Sequence, residues 1–168
     1  VSGIVLAPLD DTALRRPVAA AMGRGIPVVI FDSALKGEAG KDFVSLVATN
    51  NRQGGVLGGE RLAKLLDGRG KVVLLRYQEG SASTMEREAG FLEAMAKHPG
   101  ITVTVDNRYA GATAGDAKGA AMEMLDKVRE ADGIFCPNES STFGMLLALR
   151  QTNLAGKVKF VGFDTSPQ

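Results

Sequence analysis

The sequence has no tryptophan, one histidine, one cysteine and only two tyrosines in 168 residues. A single cysteine excludes an internal disulfide, and a single histidine leaves little room for histidine-based catalysis or metal ligation. Cys136 closes the apolar run Gly-Ile-Phe-Cys and reads as a small buried residue. His98 sits in Lys97-His-Pro-Gly100, a helix-stop pattern in which a cation suits the helix dipole. Net charge is +1 with no basic run, so no nucleic-acid partner is implied. No apolar stretch approaches the roughly 20 residues a bilayer span requires. There is no Gly-x-Ser-x-Gly elbow, no Walker loop and no Gly-x-Gly-x-x-Gly. These absences count against an enzyme, and no motif calls for a cofactor or a metal.

With 45% apolar and 23% charged residues and 21 glycines, the chain can build a real core, as one ordinary domain or parts of two smaller lobes. Val1-Ser-Gly-Ile-Val-Leu-Ala-Pro8 reads as a strand and not as a signal peptide, and a chain opening in a buried strand is expected to continue upstream. The organising stretch is Lys71–Phe91. Val72–Leu75 is an unbroken apolar run suited to a parallel strand covered on both faces. Gly80-Ser-Ala-Ser-Thr84 is a small polar loop able to cap a helix. From Thr84 a helix is expected with Met85, Ala89, Leu92 and Met95 or Ala96 on its apolar face. Arg87, in its first turns, overhangs the strand end.

The rest of the chain repeats this plan. Strands are expected to begin near residues 2, 28, 44, 72, 101, 132 and 158, mostly at the spacing of βα units with right-handed crossovers. Between them helices are expected from Asp11 or Thr12 to Met22, from Arg52 to Leu66, from Ala114 to Val128 with Met122, Leu125 and Val128 inward, and from Asn138 to Gln151. Residues 36–41 read as a polar loop. Gly54, Gly55, Gly58 and Gly59 lie inside the second helix, each costing about 1 kcal/mol of helix stability, so close packing is their expected role. Every strand ends in a polar cluster: Asp10, Asp32, Asn50 and Asn51, Gln78 and Glu79, Tyr109 and Thr113, Asn138 and Glu139, and Asp164-Thr165-Ser166. In an open α/β sheet the strands' carboxyl edge is where ligands bind. Aspartate, asparagine and arginine can each meet two neighbouring sugar hydroxyls with paired hydrogen bonds, so a binding module suits this inventory better than a catalyst.

Six stretches carry a family resemblance: Ser2–Pro8, Ile26–Ser33, Val47–Gly55, Gly80–Phe91, Ile134–Glu139 and Val161–Asp164. In order and spacing they resemble the ribose-type periplasmic sugar-binding proteins of ABC transporters. The resemblance implies two Rossmann-like lobes of the periplasmic-binding-protein type I fold, with parallel sheets flanked by helices, here incomplete at both ends. Residues 1–49 would be part of lobe one and residues 50–168 most of lobe two, with Thr49-Asn50 at the first crossing. Asp32, Arg87, Asn138 and Asp164 fall on the family's sugar-binding positions. A monomer is implied, delivering a monosaccharide to an ABC transporter permease, in the periplasm or anchored outside the membrane. Two departures stand out. Ser33 occupies a place where many ribose-type members carry arginine, and the aromatic wall that usually stacks on the sugar belongs to a segment preceding this sequence. The effector domain of LacI-type repressors shares the fold and is the alternative, although Leu62–Val73 is similar to the transport-protein version.

Overall fold

The computed structural model describes residues 1–165, so Ser166 of the last expected cluster lies outside them. The elements run β1 (Ile4–Leu6), α1 (Arg15–Gly23), β2 (Val28–Phe31), β3 (Ser45–Val47), α2 (Asn51–Leu65), β4 (Arg69–Arg76), α3 (Ala82–Met95), β5 (Gly100–Tyr109), α4 (Ala114–Glu123), α5 (Leu125–Glu130), β6 (Gly133–Cys136), α6 (Glu139–Gln151) and β7 (Lys159–Gly162). They form two parallel sheets, β1-β2-β3 and β5-β4-β6-β7. All seven expected strands are present. The chain leaves the first sheet through Ala48–Asn50, which has no regular structure, and Asn50 then caps α2 by accepting from the Gln53 amide at 3.1 Å.

The continuous apolar run of β4 is explained by its central place in the four-stranded sheet. Val72, Val73, Leu74 and Leu75 are all fully buried, and successive side chains enter opposite layers. Val72 and Leu74 join α2 and α3 in a core where Phe91 stacks on Phe135 at 4.4 Å. Val73 and Leu75 join Ile134, Cys136, Met145 and Leu149 under α4–α6. Burial pushes the Cys136 thiol far above its ordinary pKa, as expected of an inert packing residue. The three-stranded sheet is covered by α1 on one face, over Val28 and Ile30. Val5, Phe31 and Val47, on its other face, are more than half exposed.

The helical glycines pack as anticipated. A Cβ on Gly55 would overlap the Arg87 carbonyl of α3, and one on Gly90 would overlap the Arg52 carbonyl of α2. Gly54 faces the Phe163 ring and Gly58 the Phe135 ring, so α2 lies close against both α3 and the sheet.

Three local expectations need correction. Asp10, not Asp11 or Thr12, organises the start of α1: its Oδ1 accepts from the amides of Thr12 (2.8 Å) and Ala13 (2.7 Å), and the helix proper begins at Arg15. The expected long helix after Thr113 is interrupted at Met124, giving α4 and α5. Its buried stripe is Ala117, Ala121, Met124 and Val128, with Met122 only partly buried against the same core and Leu125 not part of it, and α6 approaches so closely at Gly144 that a Cβ there would strike Ala117. Likewise α3 buries Thr84, Arg87, Glu88, Phe91 and Met95, while Met85 is 42% exposed. That face is selected by the Gly90 contact and by distant polar partners, neither of which a periodicity count registers. His98 does follow the end of α3, where its Nε2 lies 3.1 Å from a Glu60 carboxylate oxygen.

Candidate functional site

The carboxyl edges of the two sheets face a common cavity of about 230 Å³. Asp32 and Ser33 enter it from the end of β2, together with Ala7, Pro8 and Leu9 from the end of β1. Arg87 from α3, Asn138 from the end of β6 and Asp164 from the end of β7 enter it from the four-stranded sheet. All four residues singled out from the sequence therefore line one cavity. A hollow of about 260 Å³ beside α1, lined by Arg15, Arg16, Lys36 and Asp42 among others, is slightly larger but lies away from these converging groups.

Arg87 is the centre of the construction. It is 5% exposed, and its guanidinium ties three elements together. Nε donates to Asn51 Oδ1 at the start of α2 (2.8 Å), and Nη1 donates to the Pro137 carbonyl after β6 (2.9 Å) and to Asp164 Oδ2 (3.2 Å). The cation also lies 3.9 Å over the centroid of the Phe163 ring. The pairing with Glu86 or Glu88 that a solvated helix face would favour does not occur: Glu86 meets Arg52 at 3.6 Å and Glu88 meets Arg76 at 2.8 Å. No hydrogen bond engages Arg87 Nη2 among the described residues, which leaves that edge of the planar fork free for a ligand.

Asp32 and Asp164 share a backbone feature invisible in their sequence. Both have left-handed conformations, φ 65° and φ 66°, one residue beyond β2 and two residues beyond β7 respectively. Aspartate tolerates that region better than most residues, but conformations of this kind concentrate at ligand clamps and active sites. Asn138 has a second occupation: its Oδ1 caps α6 by accepting from the Ser141 amide (3.3 Å), and its Nδ2 donates to Ser140 Oγ (3.1 Å). One amide hydrogen remains for the cavity.

Two hydrogen bonds bridge directly from the first sheet's loops to the second's. Ser33 Oγ accepts from the Ser83 amide at 3.2 Å, and the Asp11 amide donates to the Gly80 carbonyl at 2.9 Å. Ser33, which stands where many ribose-type members carry arginine, is thus a buried bridge between the two loops. Several expected edge residues, Glu79, Thr113 and Asn50 among them, are absent from the cavity wall. Conversely, Tyr77, Ser81 and Thr84 belong to it and were not singled out. The small polar loop after β4 was the available signal for Ser81 and Thr84, whereas nothing local marks Tyr77.

Tyr77 is held by a buried carboxylate. Glu88, 1% exposed, accepts the Tyr77 amide at 3.0 Å through Oε1 and Arg76 Nη1 at 2.8 Å through Oε2. Desolvation raises the Glu88 pKa and outweighs the Tyr77 amide and the Arg76 charge, which act in the opposite direction. Since the folded-state value lies above the unfolded one, this group's contribution to stability is complete below the ordinary glutamate pKa and declines as pH rises through the folded value. Glu88→Gln keeps an acceptor for the Tyr77 amide without the buried charge. Its stability relative to wild type is expected to improve as pH is raised from 4 to 7 in urea-denaturation series; a constant difference across that range would contradict this account.

The whole chain, residues 1–168, matches the family described as periplasmic binding protein domain. It is 32% identical over 167 residues to the D-ribose/D-allose-binding protein of Pseudomonas aeruginosa, covering 98% of this chain and 52% of that protein. Among solved structures, the periplasmic component of an ABC-type sugar transport system from Hahella chejuensis superposes with a TM-score of 0.91 at 38% identity, over 98% of this chain and 59% of that one. An ABC transporter solute-binding protein from Agrobacterium vitis, bound with α-D-tagatopyranose, superposes with a TM-score of 0.90 at 30% identity, over 99% and 58%. The chain thus spans about half the length of the curated relatives it matches. From its two parallel sheets to the match along its full length, this chain belongs to the periplasmic binding protein domain family.

Proposed function

We propose that this chain is part of the solute-binding component of an ABC transporter, which captures a monosaccharide between two lobes and presents it to a membrane permease. The observation that carries this reading is the convergence of Asp32, Arg87, Asn138 and Asp164 on one cavity between the two sheets. Its volume of about 230 Å³ lies below the roughly 300–1,000 Å³ of pockets for drug-sized ligands, as suits a smaller molecule. Residues 1–49 form part of lobe one and residues 50–168 most of lobe two. Bending at Thr49-Asn50 brings the Asp32 carboxylate onto a sugar held by Arg87, Asn138 and Asp164, in the hinge closure used by binding proteins of this type. The carboxylates accept from sugar hydroxyls and the guanidinium donates to them. No group has to change protonation state, so the sugar leaves unaltered. The protein acts as a monomer in the periplasm, or outside the cell when anchored to the membrane.

Calorimetry on the protein expressed from its complete coding sequence, against pentoses, hexoses, deoxysugars and polyols, tests the reading. Asparagine is the informative replacement at Asp32 and Asp164, because it tolerates the left-handed backbone that alanine would strain. Each asparagine variant is expected to weaken binding by about 1.5–3 kcal/mol, roughly tenfold to over a hundredfold, since a charge-assisted acceptor is lost. Binding of no sugar in the panel would refute the proposal. Time-dependent conversion of a bound sugar would move the protein into the enzymes.

A further inference from the structure

We infer, building on the sugar-binding reading, that Tyr77 is the residue that discriminates among sugars, and that the buried Glu88 is its positioning residue. A sugar presents hydroxyls at its rim and C–H groups on its faces, and carboxylates, amides and a guanidinium leave those faces unmatched, so they fall to the aliphatic Ala7, Pro8 and Leu9 and to an aromatic ring. The sequence holds seven phenylalanines and two tyrosines, and Tyr77 is the aromatic residue on the cavity wall. Its phenol has no hydrogen-bond partner among the described residues, although the side chain is partly buried. The residue therefore offers both a flat apolar surface and an unused donor and acceptor to whatever occupies the cavity.

Its placement is tightly determined. The Tyr77 amide donates to Glu88 Oε1 at 3.0 Å, and its carbonyl accepts from the Gly111 amide at 3.0 Å, so both backbone groups are engaged just beyond the end of β4. Glu88 is absent from the cavity wall, and its side chain meets that wall at the Tyr77 amide. It is itself steadied by Arg76, whose Nη1 lies 2.8 Å from Oε2 and whose Nε donates to the Asp106 carbonyl on β5. A carboxylate buried to 1% exposure at this point is an expensive device for holding an ordinary loop, but a reasonable one for holding a specificity element.

Discrimination and affinity rest on different residues of this site. Arg87 and the aspartates supply hydrogen bonds common to many sugars, so replacing them should weaken all sugars by similar factors. Tyr77→Ala should instead lower affinity for the preferred sugar tenfold or more, and shrink the ratio between preferred and second-best sugar tenfold or more. Calorimetric titration of the complete protein with the same sugar panel reads both quantities, with circular dichroism as the check on folding. Glu88→Gln, which retains the acceptor, should keep the wild-type ratio, whereas Glu88→Leu should move it in the direction of Tyr77→Ala. A merely structural glutamate would change stability without moving the ratio. If Glu88→Leu fails to fold, the Tyr77→Ala ratio decides alone. Wild-type sugar binding with an unmoved ratio in Tyr77→Ala overturns this inference and leaves the sugar reading standing; wild type that binds no sugar overturns both.

Discussion

Arg87→Ala is expected to lose both stability and ligand affinity, because one guanidinium holds the ends of three elements and also faces the cavity. Its removal leaves Asn51 Oδ1, which is buried, and the Pro137 carbonyl without their donor, and releases Asp164. Unpaired buried acceptors cost about 1–3 kcal/mol each, while Asp164, 41% exposed at its side chain, regains water at little loss. The expected destabilisation is about 2–4 kcal/mol, read as a lowered urea midpoint with an unchanged slope. Affinity for sugar should fall at least tenfold in addition, since about 2 kcal/mol of charge-assisted hydrogen bonding goes with the side chain. Arg87→Lys should not restore either quantity: an ammonium on a flexible stem cannot address three acceptors held in the geometry of a planar fork. A variant with wild-type midpoint and wild-type affinity would remove Arg87 from both roles.

Gly55→Ala and Gly90→Ala are each expected to destabilise the protein by about 3 kcal/mol, at the upper end for overpacking, even though alanine is the better helix former by about 1 kcal/mol. The reason lies in what the new methyl would strike. At Gly55 it meets the backbone carbonyl of Arg87, and at Gly90 that of Arg52, so neither clash can be relieved by turning a side chain. The helices would have to separate, and with them the Arg87–Asn51 bond that spans α2 and α3. Gly119 supplies the opposite case. It lies in α4, exposed, with open space where a Cβ would stand, and Gly119→Ala should stabilise by roughly 0.5–1 kcal/mol. Thermal and urea unfolding of the three variants would test the contrast. Equal effects at all three positions would mean that close helix packing is not what these glycines serve.

The division between what was and was not legible follows the range of the forces involved. The seven strands were readable because apolar runs bounded by glycine, proline and polar clusters are local signals, and β4 is the clearest instance. The packing role of the Gly54–Gly59 stretch was readable because glycine inside a helix needs a compensating contact. The inward face of α3 was not. Its burial of Arg87 and Glu88 rests on partners 36 to 77 residues away for Arg87, and on Arg76 and Tyr77 from the preceding strand end for Glu88, and a hydrophobic period assigns charged residues to solvent. The buried stripe of α4 escaped for the related reason that Ala117, a small residue of little weight in a hydrophobic period, is what faces the close approach of α6 at Gly144.

The sequence by itself determined the class of the fold, since strand, turn and helix signals each act within about ten residues and a βα repeat leaves little freedom in which edge carries the loops, while the choice of Asp32, Arg87, Asn138 and Asp164 among the polar groups of that edge came from the family resemblance. Only the tertiary structure decided that those residues share one cavity, that Asp32 and Asp164 stand in left-handed conformations, that Ser33 bridges to Ser83, and that Tyr77 joins the wall under the hold of Glu88. Each of these depends on which groups two separate sheets bring within hydrogen-bond distance, and that is set by the packing of whole layers, a property no short stretch of sequence contains.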